Sequence, residues 1–160
     1  MPQKARVGKT GRGKPPAPGP GWPPFLAAHA ALLHAIEARL RAAELPELAW
    51  YDVLWALERA PKERLRMHEL ADALVVPRSS LTRLIDRLEA AGLVVRERGG
   101  DDRRGAHAVL APAGRALRRR MWPVYAQAIM ELFDAQLTAA ENAAMAEMCR
   151  RLAKAAREAP

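Results

Sequence analysis

The 160 residues predict a mainly α fold that carries a small β-hairpin, an α+β chain dominated by helices. Three observations lead there. Apolar residues recur at helical spacing over most of the chain. Two short helical segments stand close together around one tight turn, and two β-compatible runs follow them around a tip rich in Gly, Asp and Arg. With 50% hydrophobic and 28% charged residues, the composition suits one ordinary globular domain, with or without a tail, rather than two.

Residues 1–24 read as a flexible basic arm. Seven of the 13 prolines and five of the 10 glycines precede Phe25, interleaved with Lys4, Arg6, Lys9, Arg12 and Lys14 and no acid. Too few apolar groups remain there to offset the chain entropy of folding. The packed body spans residues 25–160. Leu26, Ala30, Leu33 and Leu40 predict a helix over 25–43, which Leu45 and Pro46 break. Proline suits a first helical position, and Tyr51, Leu54 and Trp55 share a face, so a second helix is expected over 46–59, ended by Pro61.

Met67, Leu70, Ala71 and Leu74 give a short helix. A turn at Val75 and Val76 leads to Pro77 and a helix over 77–91, whose Leu81, Leu84, Ile85 and Leu88 stripe stops at Gly92, a suitable C′ residue. Residues 93–98 and 106–110 are strand-like around the polar run from Gly99 to Gly105. Beyond Pro112 the pattern is helical, with Leu117, Met121, Val124 and Leu132 near one stripe, and Pro123 is expected to kink or divide that helix. Thr138 and Glu141 form a capping-box signature that opens a last helix with Met145, Met148, Cys149 and Leu152 on one side. There is no internal repeat.

The formal charge of +8 points to an anionic partner, and its distribution is uneven. Residues 1–24 carry +5, 25–74 carry −2, 75–120 carry +6 and 121–160 carry −1. The internal basic block, 75–120, includes the helix over 77–91 and the hairpin that follows it. An α-helix fits the major groove of double-stranded DNA if its reading face is free of core duties. Here the core stripe leaves Arg78, Ser79, Ser80, Thr82, Arg83 and Arg87 on other faces. Small hydroxyls permit close approach, and arginines supply charge and forked donors. The plain alternative is a solvated helix face. On the hairpin tip, Arg103 and Arg104 stand beside Asp101 and Asp102; an arginine there can enter a minor groove while a neighbouring carboxylate sets its direction. Phosphate contact or an ordinary solvated turn are the alternatives. The first and last helices carry more apolar surface than a small DNA-reading module needs, which predicts packing against a second copy of the chain.

The run from Glu69 to Leu74, the run from Leu81 to Leu93, and Asp102-Arg-Arg-Gly-Ala-His-Ala-Val-Leu110 with Pro112-Ala-Gly114 together resemble the MarR family of winged helix-turn-helix regulators. The resemblance extends from about Phe25 to Leu152 and is most specific in the middle. It implies a winged helix-turn-helix over about 46–111 with a two-stranded wing, and dimerisation helices over about 25–43 and 112–157. It also implies a homodimer, a palindromic operator, repression, and control by a small aromatic effector. By position, Ser79, Ser80, Thr82 and Arg83 fall where the family's recognition helix meets DNA, and Asp102 with Arg104 matches its Asp-x-Arg wing motif. Two departures stand out. Ala111 replaces the family's usual threonine, removing a hydroxyl that could cap the next helix, and the arm before Phe25 is longer than in most members.

Within the arm, residues 8–14 have the spacing of a phosphate-binding loop, but Pro15 stands where that loop needs Ser or Thr, and no strand precedes it. Arg12-Gly-Lys-Pro15 is similar to a minor-groove AT-hook with lysine for the second arginine; a non-specific electrostatic arm is the simpler reading. Five of the eight aromatic residues, Trp22, Phe25, Trp50, Tyr51 and Trp55, lie between positions 22 and 55. Trp22, Trp50, Tyr51 and Trp55, with the acid Asp52, are the candidate lining of an effector cleft, against the alternative that they fill the core. The pairing of Trp with Asp52 resembles the urate-responsive branch.

No cofactor, metal site or catalytic residue is expected. His29 and His34 point about 140° apart on an ideal helix, a poor arrangement for a shared ion. The single cysteine, Cys149, excludes an internal disulfide and zinc ribbons, and its place on an apolar stripe predicts a buried, unreactive thiol. No nucleophile elbow or paired catalytic acids emerge. The sequence shows neither an apolar run of about 18 residues nor a secretory signal, so no membrane partner and a cytoplasmic location are expected. The function predicted is sequence-specific DNA binding in transcription regulation. The competing readings are a protein-interaction module that offers its arginine-rich surface to an acidic partner and, more remotely, an enzyme using the aromatic cleft.

Overall fold

The computed structural model describes residue 17 and residues 19–74, 78–98 and 106–158. The chain runs α1 (Trp22–Ala42), α2 (Leu48–Arg59), a 3-10 turn (Pro61–Glu63), β1 (Arg64–Arg66), α3 (Met67–Ala73), α4 (Arg78–Ala90), β2 (Val94–Arg98), β3 (Ala106–Leu110) and α5 (Pro112–Leu132). A 3-10 turn (Asp134–Gln136) and α6 (Ala139–Glu158) complete it. The three strands form an antiparallel sheet in the order β1-β3-β2. The mainly α class is therefore observed, and the expected two-stranded wing gains a third strand, β1, which pairs Leu65 with Ala108.

α1 starts at Trp22, three residues before the expected point, because Pro23 and Pro24 sit in its first turn, where a missing N–H costs nothing. Pro46 does not open α2. Glu47, with ψ 152°, is the residue before the helix, and the first helical N–H, that of Leu48, donates to Glu37 Oε1 of α1 at 2.8 Å. A long-range carboxylate thus caps α2. Pro123 leaves α5 undivided; Met121 and Ala128, buried on either side of it, hold both halves in the core.

Helix ends elsewhere follow the sequence signals. Gly92, at φ 70°, terminates α4: its N–H donates to Glu89 O and the Leu93 N–H to Leu88 O, both at 2.9 Å, a full Schellman closure. At the other end of the chain the Thr138 N–H donates to Glu141 Oε2 and the Glu141 N–H to Thr138 Oγ1, the reciprocal bonds of a capping box. Those bonds hold the Glu141 carboxyl below its usual pKa.

Two apolar clusters meet at α2. One gathers Leu54, Leu57, Leu70, Leu81, Leu84, Ile85, Leu88 and Val94 from α2, α3, α4 and the sheet. The other joins Ile36 and Leu40 of α1 to Leu48 and Tyr51 of α2 and Met121 and Ala128 of α5. Tight packing against the first cluster is visible at Gly114, where an added Cβ would lie 2.3 Å from Leu93 O and 2.9 Å from methyl carbons of Leu54 and Leu110. By contrast α6 buries no residue in the single chain, and Leu26 and Leu33 of α1 remain exposed.

Candidate nucleic-acid interface

α4 is amphipathic in the way a reading helix requires. Leu81, Leu84, Ile85 and Leu88 are all buried, which fixes the helix against α2 and the sheet. On its outer side Ser80, Arg83, Asp86 and Arg87 line one shallow depression, and Thr82 is also exposed. Of the expected DNA-facing residues, Ser80, Thr82, Arg83 and Arg87 are therefore free of core duties. Arg78 and Ser79 fall on the first turn of α4, with their side chains outside the described residues. The wing-tip candidates Asp102, Arg103 and Arg104 lie outside them too, as do residues 1–16 of the arm and the turn at Val75 and Val76.

Carboxylates hold two of the arginines on this side. The Arg87 guanidinium lies 2.5 Å from Glu47 Oε1. Arg96 of β2 reaches back to α4, with Nη2 2.6 Å from Asp86 Oδ1 and Nη1 3.4 Å from Glu89 Oε2. Nothing in the sequence singles out Glu47 or Arg96. Neither belongs to a recognisable motif; they matter only because the fold carries them to α4.

The aromatic candidates divide between separate places in one chain. Tyr51 is buried, stacked on Trp122 at 6.1 Å and edge-on to Tyr125 at 5.0 Å. Burial is the main reason its phenol is pushed above the ordinary pKa, opposed by Arg118. Trp55 is partly exposed, with the guanidinium carbons of Arg59 and Arg118 at 5.5 and 5.1 Å from its ring centroid. Arg118 is itself paired with Glu58 at 2.5 Å. Asp52 and Trp55 share a depression of about 500 Å³ with Arg59, Leu65 and Leu74. Desolvation, and secondarily the Glu37 carboxylate, push the Asp52 carboxyl up to about 6.

Trp50 packs against the α2–α4 core, its indole N–H buried with no hydrogen-bond partner among the described residues. Trp22 lies beside Phe25 at 6.1 Å in an apolar groove of about 790 Å³ between the start of α1 and α6. Cys149 lines that same groove and is exposed in the single chain. The expectation of a buried thiol is thus wrong for the isolated chain: among the described residues the apolar stripe of α6 only lines an open groove with α1, and no residue of α6 is buried. Among the described residues no group of three His, Cys, Asp or Glu could hold a metal ion, and no helix is long and apolar enough to cross a membrane.

A helix pair, a reading helix with a polar outer face and an antiparallel wing define a winged helix-turn-helix regulator. Residues 46–105 match the sequence profile of the MarR family. AbsC, a MarR family transcriptional regulator from Streptomyces coelicolor, is 29% identical, with a TM-score of 0.79 over 86% of this chain and 93% of its own. Sco3205, another such regulator from that organism and solved in complex with DNA, is 30% identical, with a TM-score of 0.79 over 84% of each chain. BpsR from Bordetella bronchiseptica, whose DNA binding is regulated by 6-hydroxynicotinic acid, is 25% identical, with a TM-score of 0.70 over 80% of this chain and 94% of its own. The chain belongs to the MarR family of DNA-binding transcriptional regulators, and it is a regulator rather than an enzyme.

Proposed function

We propose that the protein is a homodimeric repressor, acting in the cytoplasm, that binds a palindromic operator and releases it when a small aromatic compound binds. The observation that carries the DNA-reading part is the outer face of α4, where Ser80, Thr82 and Arg83 are exposed and Arg87 is held at the surface by Glu47, while the opposite face is fully committed to the core. Hydroxyls and guanidinium groups on such a face suit base edges and phosphates in a major groove. By their positions in the sequence, Arg78 and Ser79 would add to this surface, and Arg103 and Arg104, with Asp102 beside them, would reach the adjacent minor groove. The basic arm adds sequence-independent attraction.

Dimerisation is supported by the apolar groove between α1 and α6, where Trp22, Phe25, Met148 and Leu152 are all exposed in one chain. A two-fold dimer would present two α4 helices to successive major-groove faces about 34 Å apart. The effector reading rests on the depression carrying Asp52, Trp55 and Arg59, beside Tyr51; the DNA binding of BpsR is regulated by an aromatic acid. Such a ligand works by preferring a dimer whose α4 helices are wrongly spaced. Selection of bound duplexes from a random pool tests the proposal: an enriched two-fold symmetric sequence is expected, and recovery of unrelated sequences would contradict it.

A further inference from the structure

α4 carries two acids, Asp86 and Glu89, on a helix proposed to approach a polyanion, and Asp86 shares the outer depression with Ser80, Arg83 and Arg87. Left alone, these carboxylates would repel phosphates. Arg96 meets both. Its Nη2 lies 2.6 Å from Asp86 Oδ1 and donates to Thr82 O at 3.2 Å, while Nη1 lies 3.4 Å from Glu89 Oε2. Its backbone N–H donates to Glu89 Oε1 at 3.1 Å. The Arg96 side chain is 29% exposed, less than the 52% of Asp86 and the 39% of Glu89. A planar fork fixed from several sides spans acceptors that a lysine's single charged point could not.

We propose that Arg96 is a positioning residue for DNA binding, which neutralises the acids of α4 and locks that helix to β2. The proposal rests on the DNA-reading role of α4. Its charge-masking part separates it from a merely structural bond, because masking can be replaced by removing the acids. Glu47, which reaches α4, and Glu97, on β2, have arginine partners of their own, Arg87 and Arg64.

The test is a set of anisotropy titrations on one selected duplex at two salt concentrations, with circular dichroism confirming the fold. Arg96→Gln is expected to weaken binding about 10-fold at low salt and less at high salt, since screening relieves exposed carboxylates. Adding Asp86→Asn and Glu89→Gln to that variant should restore affinity to within about threefold of wild type, and Arg96→Lys should fall between. Wild-type affinity in Arg96→Gln would overturn the proposal. So would a loss that the neutralised triple variant fails to recover, which would leave Arg96 a structural bond only. A wild-type protein that binds no duplex would instead overturn the DNA-reading role, and this proposal with it.

Discussion

Glu47 at the start of α2 holds Arg87 of α4 at 2.5 Å, and the next residue, Leu48, is capped by Glu37 of α1. One arginine of the proposed reading face is thus occupied in the free protein, by an acid placed where α1, α2 and α4 converge. Both side chains are about half exposed, so the pair adds little stability, on the order of 1 kcal/mol at most. Its effect should appear in DNA binding. Glu47→Gln is expected to free Arg87 for a phosphate and steepen the logarithmic salt dependence by about 0.9. An unchanged slope across a salt series would show that Arg87 makes no such contact.

Asp52 links pH to stability. Its folded-state pKa of about 6 lies above the usual carboxyl value of 3.8, so the folded chain holds this proton more tightly than the unfolded chain. The sign is destabilising with rising pH: stability from this group is full below about pH 4, declines between 4 and 6, and stays low above. Asp52 retains solvent exposure, so only part of the shift counts, and Asp52→Asn should gain about 1 kcal/mol at pH 7 and nothing at pH 4. Urea unfolding at both pH values checks this; equal differences at the two would contradict it.

Gly114 is fixed by space. A methyl there meets the Leu93 carbonyl oxygen, which is backbone and yields little, as well as the Leu54 and Leu110 methyls. Gly114→Ala is expected to cost about 1–3 kcal/mol despite the better helix propensity of alanine. A thermal melt unchanged from wild type would show that α5 can shift outward.

The α1/α6 groove bears on assembly. Leu152→Asp places a charge on that exposed apolar face and should give single copies in sedimentation, with the α2–α4 cluster still folded. A variant that remains dimeric would move the interface elsewhere.

Much of this architecture can be read from the residues because helix periods are local. The stripe from Leu81 to Leu88 and the stop at Gly92 announce α4, and Thr138 with Glu141 announces α6. β1 escapes such reading: three residues are too few for alternation, and Arg64, Leu65 and Arg66 become a strand only because β3 is beside them. Pro46 misleads because the cap on α2 comes from Glu37, 11 residues away. The serines and arginines of the reading face were visible as residues left over from the core, whereas Arg96 and Glu47 act through distant partners and carry no sequence signature. Cys149 belongs to the same case: an apolar stripe predicts burial, yet no described residue of the chain packs over it, so the thiol is exposed.

Reading of DNA by paired α4 helices through their outer faces can be measured by titrating wild type and a Ser80→Ala, Arg83→Ala double variant onto a selected duplex in the presence of excess scrambled competitor. The expected result is saturation at two chains per duplex for wild type, and a loss of about 10- to 100-fold in the variant with dimerisation intact. Equal affinity of the two proteins for that duplex would contradict the claim.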